Sequence, residues 1–157
     1  MRSDSELQAA VVERMRLDGR VAPSDIGVAA RDGVVTLNGE VDSLTKRVAA
    51  ARAAEAVPGV IAVANDIDVR IPGDQRRSDV DIAHDLVEAL MWDTDVPDKT
   101  IKARVQDQWV WLVGECEWAY QRAAAEHATE HIAGVKGIVN SVRVTRGSPP
   151  RRAAPFR

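Results

Sequence analysis

Apolar and polar residues alternate along this chain with two periods, and the same succession of periods occurs twice. From Leu7, apolar side chains recur at helical spacing through Ala10, Val11 and Met15. Ser3-Asp4-Ser5-Glu6 just ahead of them reads as a capping box, and the helix should end near Asp18-Gly19. Ile26, Val28 and Ala30 then alternate with polar or small residues, as a half-buried strand does. Asp32-Gly33 is a two-residue hairpin turn signal, since both central residues must accept positive φ. Pairing outward from that turn sets Ala30 opposite Val35 and Val28 opposite Leu37, all on one face. A second helix starts near Ser43, with Leu44, Val48, Ala51, Ala54 and Val57 as its apolar positions in an alanine-rich run. Pro58-Gly59-Val60 ends it and leads to a last strand in which Val63, Asn65, Ile67 and Val69 alternate.

Adding 75 to each of these positions gives the second copy. Ser78-Asp79-Val80-Asp81 opens a helix with Ile82, Leu86, Ala89 and Leu90 on its face. Ile101, Ala103 and Val105 pair with Val110 and Leu112 around the turn Asp107-Gln108. That turn is the weaker signal, because Gln meets the left-handed cost that Gly avoids, so a longer or distorted turn is expected there. A helix follows from about Trp118 to Ile132, and Ile138, Asn140, Val142 and Val144 alternate in the last strand. Each copy therefore reads helix, strand, strand, helix, strand: an α+β fold of two tandem αββαβ domains, each a three-stranded sheet with two helices on one face. The expected boundaries are 1–71, a linker 72–77, 78–145, and a basic disordered tail 146–157. The linker spans at most about 20 Å, which keeps the domains neighbours.

Bulk properties narrow the class. The chain of 157 residues is 45% hydrophobic but only 4% aromatic, so its cores are aliphatic. Residues 78–145 carry 6 basic and 12 acidic groups, a net of −6, and the whole chain is at −3. An acidic body excludes broad nucleic-acid binding, which needs a basic footprint. The single cysteine, Cys116, excludes an internal disulfide framework and reads as a reduced strand residue in the place Val41 holds in the first copy. The polar start runs straight into an amphipathic pattern without an apolar leader, which points to a cytoplasmic protein if Met1 is the natural start.

Val35, Leu37, Gly39 and Val41 after an Asp-Gly turn, then Ser43, Arg47 and Gly59-Val60-Val63-Asn65-Ile67-Val69, resemble the BON domain. The second copy has Val110, Leu112, Gly114, Arg122 and Gly134-Val135-Ile138-Asn140-Val142-Val144 in the same order. The resemblance covers nearly everything from Ser3 to Thr145. It implies a small αββαβ fold, usually in tandem and bacterial. Members of the family include exported osmotic-stress and envelope-maintenance proteins, and a role in binding phospholipid surfaces is generally proposed for it. A cytoplasmic potassium-binding member is also known. The resemblance implies no enzymatic activity, no catalytic residues and no cofactor.

Candidate chemistry is sparse. Gly39 and Gly114 are read as positions where a neighbouring element packs close. Asn65 and Asn140 are read as satisfying adjacent backbone groups. His127 and His131 share a helix face, which is half of a metal site and reads by default as solvated histidines, so no metal is expected. Asp93-Thr94-Asp95-Val96-Pro97-Asp98 begins like a calcium loop, but Asp98 stands at the glycine place and Arg104 at the closing glutamate. Neither a glycine-rich phosphate loop nor a Ser-His-Asp spacing occurs.

The aromatic residues are the exception. Trp92, Trp109, Trp111 and Trp118 all lie in the second copy. Trp109 and Trp111 alternate with Val110 and Leu112, so they face away from the helices, where the first copy has Val34 and Thr36. Trp109, Trp111 and Trp118 are the expected interaction surface, covered between the repeats or between two chains. Arg146, Arg151, Arg152 and Arg157 are the expected contacts to an anionic membrane or an acidic partner. The resulting expectation is a non-catalytic binding or scaffolding module for an anionic phospholipid surface or a protein partner, with a homo-oligomer as one arrangement. A cytoplasmic potassium-responsive sensor is the alternative.

Overall fold

The computed structural model describes residues 2–146 and divides into two compact units, the first ending at Gly73 and the second beginning at Asp74. In unit 1, α1 (Asp4–Asp18) precedes β1 (Ile26–Arg31), β2 (Val34–Val41), α2 (Leu44–Glu55) and β3 (Ala62–Val69). In unit 2, α3 (Asp79–Trp92) precedes β4 (Ile101–Gln106), β5 (Trp109–Cys116), α4 (Ala119–Glu130), β6 (Gly137–Asn140) and β7 (Arg143–Val144). The expected disordered tail began at Arg146, which is described and whose N–H donates to the Glu117 carbonyl at 3.0 Å; residues 147–157 of that tail fall outside the described residues.

The first helix starts where its cap dictates. The Ser3 hydroxyl accepts from Glu6 N–H at 3.2 Å, and the Glu6 carboxylate accepts from Ser3 N–H at 2.9 Å. That backbone donor holds the Glu6 carboxyl below the usual range. Leu7, Val11 and Met15 are buried on α1, as are Ile82, Leu86 and Leu90 on α3.

The sheet of unit 1 has the order β1-β2-β3, with β1 antiparallel and β3 parallel to the central β2. The hairpin register is the expected one, Ala30 opposite Val35 and Val28 opposite Leu37. Val35, Leu37, Val110 and Leu112 are all 0% exposed beneath the helices. On α2 the buried positions are Leu44, Ala49, Ala50, Ala53 and Ala54, whereas the expected Val48 and Ala51 are only half-buried. The smallest side chains face the sheet because they let the helix approach closest.

The turn at Asp107-Gln108 is neither longer nor distorted. Both residues sit in the left-handed region, at φ 52° and 65°, matching Asp32 and Gly33 at 51° and 82°. The Asp79 carboxylate at the start of α3 accepts from both Asp107 N–H and Gln108 N–H at 2.9 Å, which offsets the backbone cost. In unit 1, Asp4 accepts from Asp32 N–H at 3.0 Å. Gly39 and Gly114 behave as expected: both have positive φ, and a Cβ would run into the Asp25 or Thr100 carbonyl oxygen.

The second helix is tied to the last strand by a reciprocal clamp. Arg47 donates through Nε to the Ile67 carbonyl at 3.0 Å and through its terminal nitrogen to the Asn65 carbonyl at 2.9 Å. Asn65 returns the bond, donating to the Arg47 carbonyl at 3.2 Å and accepting from Ile67 N–H at 3.3 Å. Arg122 and Asn140 repeat all four contacts at 3.0, 2.7, 3.2 and 3.2 Å. The last strand of unit 2 is broken between Asn140 and Arg143, and its second piece, β7, still pairs with β5.

Bonds to a charged group are worth about 1.5–3 kcal/mol each, so Arg122→Met should lower stability by at least that amount. Exposed Arg143, paired with Glu115, should cost only about 0–1 kcal/mol when changed to Ala. Urea denaturation of the full chain compares the two, and equal shifts would refute the clamp. Gln108→Gly should raise stability by about 0.5–1 kcal/mol, the left-handed cost less the added chain entropy, which thermal melting measures.

Candidate functional site

The outer sheet face of unit 2 is built by strand pairing alone. Alternate residues of a strand share a face, and paired residues across a ladder sit side by side. One row of that face is Arg104–Trp111–Val139. On one side of it lies Gln106–Trp109–Gly137, and on the other Lys102–Val113. Trp109, Val113 and Val139 are 39%, 39% and 37% exposed, and Trp111 is half-buried. The two indole rings lie 6.5 Å apart at 41°, and the Arg104 guanidinium sits over Trp111 at 4.9 Å from its centre, within cation–π range.

Gly137 seats the outer ring. A Cβ at that position would collide with the Trp109 ring. At the matching places unit 1 has Val34 beside Ala62, so the larger side chain and the smaller neighbour occur together in unit 2. The corresponding unit 1 face is small and partly acidic, with rows Ala29–Thr36–Ala64 and Gly27–Asn38–Asp66.

The other expected contact residues separate from this face. Trp118 precedes α4 as its cap residue and is 38% exposed. Gln121 accepts from the N–H of Trp118 at 2.9 Å and of Glu117 at 3.0 Å, which fixes the helix start. Arg146 pairs with Glu117 at 2.8 Å and lies 5.6 Å from the Trp118 ring centre, so it folds back onto the acidic unit. Arg151, Arg152 and Arg157 lie outside the described residues. Trp92, 79% exposed, ends α3 next to exposed Met91. Cys116 is a buried core thiol directed at the Trp118 carbonyl. Asn65 and Asn140 take the structural role expected of them.

An open hollow in unit 1 is lined by Arg20, Asp25, Glu40, Asp42, Lys46 and Arg70. Its charges neutralise each other: Arg70 meets Glu40 at 3.1 Å and Lys46 meets Asp42 at 2.9 Å. The sequence paired His127 with His131 and missed a third member: buried Glu130 joins them at the end of α4. The order His-x-x-Glu-His was the available signal, since positions i, i+3 and i+4 share a helix face.

Two tandem αββαβ units with the same turns and clamps define a duplicated small α+β module, and the model of the BON domain matches residues 3–71 and 78–146. The chain belongs to the BON family. It is similar to osmotically-inducible protein Y of Escherichia coli K12, 27% identical over 144 residues that cover 89% of this chain and 72% of that protein. Among solved structures, it matches CdsD, a structural protein of the type III secretion system of Chlamydia trachomatis, at 13% identity and a TM-score of 0.35, covering 87% of this chain and 59% of that one. The C-terminal domain of CdsD matches at 9% identity and a TM-score of 0.36, covering 91% of this chain and 99% of that one. Among the described residues, no helix is long and apolar enough to cross a membrane.

Proposed function

We propose that this chain is a non-catalytic binding module whose second unit lays its outer sheet face on an anionic phospholipid surface, in a response to osmotic stress. The observation that carries the reading is the grid of Lys102, Arg104, Trp109, Trp111, Val113 and Val139 on one face. Tryptophan rings settle at the boundary between headgroups and acyl chains, where one end is apolar and the other wet. Basic residues beside them meet headgroup phosphates, each worth about 1 kcal/mol near such a surface. An acidic unit with net −6 keeps the rest of its surface off the bilayer, so the local pair of cations also sets orientation. The similarity to an osmotically inducible protein supports the stress setting. The one thiol is buried in the core and supplies no accessible nucleophile.

Co-sedimentation with vesicles tests the proposal. The chain should bind vesicles containing phosphatidylglycerol, ignore neutral phosphatidylcholine vesicles, and lose binding as salt rises. Lys102→Gln with Arg104→Gln should weaken binding roughly thirtyfold, the equivalent of about 2 kcal/mol. Trp111→Thr, the residue unit 1 has at that place, should weaken it further. Truncation after Arg146 measures the share of Arg151, Arg152 and Arg157. Equal binding to both vesicle types, or loss of all binding on truncation, would sink the sheet-face reading. Dimers that dissociate in Trp111→Thr without vesicle binding would show a protein partner instead.

A further inference from the structure

We infer that His127, Glu130 and His131, at the C-terminal end of α4, form a binding site for a divalent transition-metal ion of the zinc class. The inference does not rest on the membrane proposal. One donor atom from each residue lies within 4.8 Å of the other two. His127 Nδ1 and a Glu130 carboxylate oxygen are 3.5 Å apart. Ligands at about 2.0–2.2 Å from a tetrahedral ion stand roughly 3.3–3.6 Å from one another, so this pair already has ligand spacing. The exposed His131 ring supplies the third donor. Its Nδ1 lies 2.9 Å from the His127 carbonyl oxygen. A carbonyl only accepts, so Nδ1 is the donor in this contact and Nε2 is the ligand atom of the neutral ring, the arrangement that orients metal-bound imidazoles.

Comparison of the two units separates this cluster from the needs of the fold. Unit 1 has Arg52, Glu55 and Ala56 at the same places, so the fold forms without either histidine. Glu55 is exposed, whereas Glu130 is 5% exposed. A carboxylate at the end of a helix meets the negative pole of the helix dipole, and a divalent cation held there offsets that repulsion. Two imidazoles and one carboxylate suit zinc-class ions and not magnesium or calcium, which prefer oxygen donors throughout. Three protein ligands leave a fourth position for water or an outside donor.

Calorimetric titration of the full chain with zinc chloride, after chelator treatment, tests the site. The expected result is one saturable equivalent per chain, with no heat from magnesium chloride. Losing an outer partner of a metal site costs about 10–100-fold in affinity, so losing a ligand should cost at least about tenfold. His127→Arg with His131→Ala restores the unit 1 residues and should abolish binding while the melting temperature without metal stays near wild type. Zinc should raise the melting temperature of the wild type and leave that of the double variant unchanged. Glu130→Gln should weaken binding at least about tenfold. Absence of a saturable equivalent, or equal affinity in the double variant, overturns the site; unchanged affinity in Glu130→Gln overturns the three-ligand assignment.

Discussion

The clamp between the second helix and the last strand is the contact on which each unit depends. The last strand runs parallel to the central one, so it is reached only by a crossover, and it has a single strand neighbour. Parallel pairing is slightly less stable per residue than antiparallel pairing. Carbonyls two residues apart point the same way along a strand, so one guanidinium reaches both residues 65 and 67. Asn65 then occupies the helix carbonyl and the strand N–H. Every partner in the exchange is matched, which a partly buried charge requires. The clamp also consumes two acceptors of an edge that would otherwise template pairing with another chain.

The alanine face of the helix is a condition for that reach. Ala49, Ala50, Ala53 and Ala54 bring the helix axis close to the sheet. Their role was hard to read in advance, because a run of Ala and Val shows no single apolar face, and close approach decides which residues turn inward. Asn65 and Asn140 were legible, since a polar side chain within an apolar alternation must satisfy something nearby. Arg47 and Arg122 were not, because a charge on a helix ordinarily reads as solvation and their partners lie 18 residues away or more. Gln108 shows the same limit. Its identity correctly signalled a costly backbone conformation, but the compensating Asp79 lies 29 residues earlier. Sequence pattern reports local preference, and these two contacts are long-range repairs of it.

The two copies share an interior and differ on the outside. Val41 becomes Cys116, Met15 becomes Leu90 and Ile67 becomes Val142, and all six are buried. The outer row changes character entirely, from Ala29–Thr36–Ala64 to Arg104–Trp111–Val139. A pleated strand permits this, because its two faces are occupied by different residues and one can change without moving the other. The change is also coordinated. Trp109 in place of Val34 is accompanied by Gly137 in place of Ala62, and the glycine is what accommodates the ring. A tryptophan added without that change would have met a Cβ.

The cluster at the end of α4 and the aromatic face lie on opposite sides of the same sheet, yet one short segment joins them. The chain leaves Glu130 and His131, passes Gly134, and enters β6 at Gly137. Lys136 N–H donates to the Gln108 carbonyl at 2.8 Å, so this segment is anchored to the hairpin turn just ahead of Trp109. Gly134, in the left-handed region, packs against the Arg77 stem, and Arg77 pairs with Asp85 on α3. The connection is therefore held at the turn, at the helix pair and at the strand start. An ion fixing the last turn of α4 would restrain the one end of this segment that those contacts leave to the helix terminus.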